Sequence, residues 1–280
     1  MTNFLKSFFY NKSRFYFNIS FIHLLNKIAK YIINRQVDYK NILTKKLQKY
    51  FKDPNIFFFN HGRGGFYFLL MHFKNQSKRK VLINSLTLFE MVNMIVYAGY
   101  EPVFIDNKKN SFETNTLHLI DKFSDELSFV VVTHLNGINK EIFDIKDKIE
   151  EINKTRDKNN KIYIVEDVAV SLGARFKGVY SGSIGDFSIL SFNIMKNITS
   201  LTGGALIDNH KILNIHNFAK NKLRVSSLDI IKKISFVVLL QFLNSRLIFP
   251  FFFVFIRFAQ KKKFQLFFKK ISYGFPNLYT

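Results

Sequence analysis

Cysteine is absent from this 280-residue chain, and so is tryptophan. Without cysteine there are no disulfide staples, thiolate metal clusters or cysteine nucleophile, so stability and chemistry must come from packing and from other side chains. Acidic residues are scarce, 20 against 42 Lys and Arg, which leaves a net charge of +22 and an isoelectric point near 9.9. His and acidic side chains do not cluster at ligand spacing, which argues against a metal site. The N-terminus lacks a secretory pattern, because Lys6, Lys12 and Arg14 break its apolar stretches and no small-residue cleavage site follows. The expected location is therefore the cytoplasm. A continuous membrane span is also not expected. The apolar runs 234–243 and 247–256 are each about half of the roughly 20 residues that a spanning helix needs, and Pro250 interrupts the second.

A basic surplus of this size suggests nucleic acid or an anionic membrane as partner, but it is unevenly distributed. Residues 1–53 carry 11 basic and 2 acidic side chains, a net of +9, and residues 208–280 carry 13 and 2, a net of +11. Residues 54–207 carry 18 and 16, a net of only +2. Glycine follows the same division, since every glycine except Gly274 lies between Gly62 and Gly204. Glycine serves where backbone turns tightly or approaches a ligand. The middle therefore reads as a site-bearing domain, between two helical, basic, Phe-rich flanks. No recognised nucleic-acid motif accompanies the flanks. Their apolar runs fit either an anionic membrane surface at the inner face of the membrane or a buried dimer interface.

From Ile56 onward, short apolar runs alternate with amphipathic stretches, the pattern of a mostly parallel sheet covered by helices. Seven strands are predicted, at 56–59, 81–84, 102–106, 129–133, 162–166, 187–191 and 205–208. Helices are predicted at 64–73, 88–98, 116–122 and 143–155. The fold class is α/β. Ligands in such folds bind beyond the carboxyl ends of the strands, which directs attention to residues 60–65, Asp106, His134, Asp167 and the segment after Ser191.

Three of these places suit chemistry. Asn60-His61-Gly62-Arg63-Gly64-Gly65 follows a strand and opens a helix, where backbone N–H groups and the helix potential favour a phosphate; an ordinary glycine-rich turn is the plainer alternative. Asp167 ends a strand and can meet a ring nitrogen, a metal or a sugar hydroxyl, or simply cap a helix. Lys196 lies five residues after Ser191 in a neutral, apolar segment that disfavours its ammonium form and suits it to attack an aldehyde; it can equally be a solvated surface lysine. Together, a phosphate cradle, an acid for a pyridinium nitrogen and a lysine for an aldehyde are the contacts pyridoxal 5'-phosphate requires.

The order and spacing of these groups resemble the DegT/DnrJ/StrS sugar aminotransferases over about residues 60–208. The likeness is carried by His61-Gly62-Arg63, residues 87–93, residues 97–106, Thr133-His134-Leu135-Asn136-Gly137 and Glu166-Asp167-Val168-Ala169. It continues through residues 172–178, residues 182–188, Ser191 to Lys196, and Gly203-Gly204-Ala205. The resemblance implies the large domain of the type I aminotransferase fold and a pyridoxal-phosphate-dependent transaminase. Its substrates would be a nucleotide-linked keto sugar and an amino-acid donor, in surface polysaccharide synthesis such as that of lipopolysaccharide, and the protein would be a homodimer. It also implies that Lys196 links to the cofactor and moves protons, that Asp167 binds the ring nitrogen, and that Ser191, Gly62 and Arg63 hold the phosphate. His134 is expected to be packed or hydrogen-bonded rather than catalytic. The sequence departs from the family in three ways. Val170 stands where a glutamine is usual, Leu88 stands where an aromatic ring is usual with Phe89 one place out of register, and residues 208–280 show no counterpart of the family's small domain. A second reading follows from these departures: a catalytically impaired descendant acting in membrane-associated assembly.

Overall fold

The fully apolar stretch of residues 129–132 and the Val81-Leu82-Ile83 run indicate strands buried on both faces, and a computed structural model of the chain shows what covers them. It describes residues 21–34, 36–74, 79–137, 140–157, 160–194, 196–213, 227–245 and 248–261. The basic residues at 1–20, 214–226 and 262–280 lie outside this set. The chain forms two compact units, Asn26–Ser226 and a second made of Met1–Leu25 with Ser227–Thr280.

In the first unit, β1 (Asn55–Phe59), β2 (Lys80–Asn84), β3 (Glu101–Ile105), β4 (Leu127–Thr133) and β5 (Tyr163–Asp167) are followed by a two-stranded hairpin. That hairpin pairs β6 (Arg175–Phe176) with β7 (Val179–Tyr180), and β8 (Phe187–Ser191) and β9 (Gly204–Asp208) complete the strands. The main sheet has seven strands in the order β1-β9-β8-β5-β4-β2-β3. Pairing is parallel from β8 through β5, β4 and β2 to β3, and antiparallel on both sides of β9. All seven predicted strands form. β1 runs the same way as β8, so the carboxyl ends of β1, β2, β4, β5 and β8 share one edge. Pro102 sits in the edge strand β3, where a missing N–H is tolerated.

Successive strand residues point to opposite faces, and the core divides accordingly. Val81, Ile83, Phe129, Val131 and Val165 join one cluster, with Phe66, Leu69 and Leu70 of α3 (Gly62–His72) and Met91, Met94 and Ile95 of α4 (Phe89–Tyr97). Leu82, Val130, Val132 and Ile164 join the other, with Leu119 of α5 (Thr116–Asp121) and Ile142, Ile145 and Ile149 of α6 (Glu141–Asn153). The three isoleucines of α6 are spaced i, i+3, i+7 and therefore fall on one face. The helices begin and end within two residues of the predicted limits.

Of the N-terminal flank, α1 (Phe21–Ile33) and α2 (Tyr39–Gln48) are helical. The charge pattern draws a boundary at residue 53, but Leu47 and Phe51 bury against Val168, Leu190, Ala205 and Ile207 of the sheet domain. The lysines of α2 stay at the solvent side while two apolar residues dock, so charge there reports the exposed surface and not the fold boundary. In the second unit, the predicted apolar runs form α7 (Ser227–Leu243) and α8 (Phe249–Lys261). No helix among the described residues is long and apolar enough to cross a membrane.

Phe129 has no exposed surface and contacts the rings of Phe73, Tyr100 and Tyr163. Phe129→Ala is expected to lower the unfolding free energy by about 3–5 kcal/mol, the usual cost of an aromatic-sized cavity, read from urea denaturation.

Candidate active site

Parallel pairing brings the sequence-predicted groups to one edge of the sheet. Register places Thr133 opposite Asp167 and Asp167 opposite Ile189, two residues before Ser191. The β8–β9 connection, residues 192–203, starts at that same edge and carries Lys196. It is anchored by hydrogen bonds from Phe192 N to Gly203 O (2.9 Å) and from Ser200 N to Phe192 O (2.9 Å).

The residue 60–65 loop is held against this hairpin. Gly203 N and Thr202 Oγ1 both donate to Asn60 O, at 2.8 and 3.0 Å. A Cβ on Gly62 would lie 2.7 Å from Leu190 O, and one on Gly204 would collide with Gly62 N and Cα. Only glycine at both positions lets the start of α3 lie directly on β8 and β9. Gly64 and Gly65 donate to His61 O (3.1 and 3.4 Å), while no side chain caps the helix. The start of α3, with its helix potential, therefore lies against Gly204, the register partner of Ser191. Arg63 Nη1 lies 3.9 Å from Glu90 Oε1 of α4.

Asp167 is only 5% exposed. Burial raises its pKa, and the Ala169 N–H (3.0 Å), Lys196 and His134 oppose that rise without cancelling it. A buried carboxylate in this condition favours a further cationic partner. No α-helix follows it; residues 169–173 form turns, so the helix-cap alternative is excluded and the bond to Ala169 is a local turn contact. Lys196 is half-buried, close enough to act electrostatically on Asp167, and therefore not a fully solvated surface lysine. The neighbouring Asn197 donates to Val170 O (3.0 Å), tying the lysine segment to the turn after β5. Thr133 Oγ1 donates to Thr87 Oγ1 (3.4 Å), tying β4 to the residue before Leu88. Leu88 and Phe89 are both more than half exposed, and Val170 is 38% exposed. Asp106 does not join the group: it follows the edge strand β3 and pairs with His118 at 3.4 Å.

A feature beneath the site carries no assigned role in the sequence reading. Glu166, fully buried beside Asp167, accepts hydrogen bonds from Gly182 N (2.8 Å), Ile184 N (2.8 Å) and Gly185 N (2.6 Å). His134 Nε2 lies 2.8 Å from its Oε2, and the His134 backbone N donates to Asp167 O at 3.1 Å. His134 is thus packed and hydrogen-bonded, as expected. The signal in the sequence is the Gly182-Ser183-Ile184-Gly185 turn, whose converging N–H groups form an anion-binding nest. Burial opposes the Glu166 charge, but His134 and the backbone donors outweigh it and hold the carboxylate below its ordinary value.

The arrangement can accept a ligand with an anionic group at the α3 start, a cationic atom at Asp167 and a carbonyl carbon within reach of Lys196. The sequence pattern of the DegT/DnrJ/EryC1/StrS aminotransferase family matches residues 21–225. GDP-perosamine synthase of Escherichia coli O157:H7 is 30% identical over 134 residues, which is 48% of this chain and 35% of that protein. The UDP-4-amino-4,6-dideoxy-N-acetyl-beta-L-altrosamine transaminase of Campylobacter jejuni subsp. jejuni serotype O:23/36 is 30% identical over 152 residues, 51% of this chain and 38% of its own. The chain thus spans little more than a third of these relatives. Among solved structures, the PLP-form of Spr1654 from Streptococcus pneumoniae superposes with a TM-score of 0.63 at 22% identity, covering 73% of this chain and 55% of that one. A GDP-4-keto-6-deoxymannose-3-dehydratase with bound GDP-perosamine gives a TM-score of 0.59 at 16% identity, covering 72% and 52%. These likenesses establish the fold.

Glu166→Ala would leave His134 and three N–H groups facing a void, and should lower stability by about 3–5 kcal/mol, as removing one partner of a buried ion pair does. Glu166→Gln tests the charge. Because the folded pKa lies below the ordinary 4.5, the carboxylate stabilises the fold above that value and loses this contribution as pH falls through the folded pKa. The stability gap between wild type and Glu166→Gln, measured by urea titration, should therefore narrow below about pH 4.5.

Proposed function

The chain belongs to the DegT/DnrJ/EryC1/StrS aminotransferase family, and from that membership we propose that it is a pyridoxal-phosphate-dependent transaminase. Its substrate would be a nucleotide-linked keto sugar, aminated with an amino-acid donor for surface polysaccharide synthesis. The observation that carries the reading is the meeting, on one sheet edge, of a half-buried lysine, a buried aspartate with a raised pKa, and a glycine-bounded helix start. These groups fit the cofactor: Asp167 would receive the protonated ring nitrogen, and Ser191 Oγ with the Gly62 and Arg63 N–H groups would hold the phosphate. When bound, pyridoxal phosphate supplies an electrophilic aldehyde and an electron-accepting ring.

The protein's own residues would do the rest. Lys196 would hold the cofactor at its aldehyde, and its Nζ would take and return the proton at the reacting carbons. The Asp167 carboxylate would keep the ring-nitrogen proton in place. Asn197, through Val170 O, would restrain where Lys196 can move. Members of this family that remove a sugar hydroxyl carry histidine in place of the lysine, so Lys196 supports amination. We also propose a cytoplasmic homodimer, peripheral to the inner face of the membrane. The exposed Phe89, Val96 and Tyr97 on one face of α4 support the dimer.

A second reading, a catalytically impaired member, is favoured by the apolar Val170 and Leu88 side chains, which offer no hydrogen bond or aromatic stacking at their positions. One experiment separates the two. The purified chain should show the visible absorbance of lysine-bound cofactor, and the band should shift when glutamate is added. Lys196→Ala should abolish it; an unchanged spectrum in that variant overturns the assignment, and a colourless wild type favours the second reading.

A further inference from the structure

The charge and phenylalanine content of the C-terminal segment are not used by the transaminase site. In α7, the exposed large apolar residues are Leu228, Ile231, Leu239 and Phe242. With exposed Ser235 and Lys232 they occupy one face of about 100°, given 3.6 residues per turn. Positions on the other side of the same helix, Lys233 and Val237, are buried. A globular helix ordinarily arranges these the other way. In α8, Phe251, Val254 and Phe255 are all at least half exposed and share one face at i, i+3, i+4 spacing.

We propose that these two faces dock on an anionic lipid surface, with the helices lying in the plane of the interface. The charge around them selects this occupant. Residues 227–280 contain nine Lys or Arg against a single acidic residue, Asp229, so an anionic bilayer complements the segment, whereas a second copy would bring two strongly basic segments together. A nucleic acid would meet the charge but not the leucine, isoleucine and phenylalanine stripes. Neither helix is long and apolar enough to span, which leaves in-plane insertion of the apolar side with basic side chains at the headgroups. The inference rests on the proposed cytoplasmic location and not on the transaminase chemistry.

The test is co-sedimentation of the full-length chain with vesicles of phosphatidylcholine mixed with phosphatidylglycerol, and with pure phosphatidylcholine. Wild type should bind the anionic vesicles strongly and the neutral ones weakly, and lose affinity in about 1 M salt, where the screening length is about 3 Å. The double variants Leu239→Glu with Phe242→Glu, and Val254→Glu with Phe255→Glu, should each bind about tenfold more weakly, since both an apolar contact and a favourable charge are lost. Their circular dichroism should match wild type, because all four positions are exposed. Absence of binding to the anionic vesicles overturns the proposal, as does undiminished binding by both variants. Conversion of a lipid-free dimer to a monomer by the same substitutions, read by light scattering, also overturns it and assigns the face to a second copy. Vesicle binding by a chain without cofactor absorbance would sustain this proposal while refuting the transaminase reading.

Discussion

A carboxylate without exposed surface must be neutralised where it stands, and the way Glu166 meets that requirement organises the centre of the fold. Its two oxygens collect three backbone N–H groups from the turn that enters β8 and the imidazole of His134 that follows β4. The ends of β4 and β5 and the approach to β8 are thereby linked through one charge. Because strand side chains alternate, a buried Glu166 on one face sends Asp167 to the other. His134 N, bonded to Asp167 O, adds a second link to the same residue. A neutral side chain of the same size would leave the donors under-satisfied in a medium where each costs more than in water.

The site itself depends on a second constraint, the near contact of two glycines. Gly204 lies so close to Gly62, and Gly62 so close to Leu190 O, that neither glycine can carry a Cβ, and that closeness lets a helix start meet the β8–β9 hairpin without an intervening layer. Helix potential, Ser191 and the Lys196 segment consequently share a small volume at the strand ends. Asp167 completes the group from the neighbouring strand, its pKa raised by burial. Rigid elements thus supply three sides of the site, and the lysine segment is fastened to them through Asn197 and Ser200.

Much of this was legible in the residues. Unbroken apolar runs such as 129–132 signal strands covered on both faces, and the isoleucine spacing in α6 signals a one-sided helix, because each follows from local periodicity. Asp167, Lys196 and the Gly62 loop stood out through residue type and placement after strands, and the sheet order brings them to one edge. Glu166 was not, since its role comes from a turn 16 to 19 residues away folding back over it. The short β6–β7 hairpin, two residues per strand, is below the length at which alternation can be read. The docking of Leu47 and Phe51 was hidden by the lysines around them, because net charge averages over a helix while packing uses one face of it.

Sequence alone therefore determined the α/β class and the seven strands, both of which are written in local patterns of two and 3.6 residues. Only the tertiary structure decided that the strand ends share an edge, that Gly62 presses on Gly204 and that Glu166 is surrounded by donors, since these depend on the sheet order and on segments well separated along the chain. It also gave the +22 charge a direction. The surplus lies chiefly in the flanks, and in the C-terminal one α7 and α8 leave large apolar side chains exposed, a fact of burial that composition does not contain.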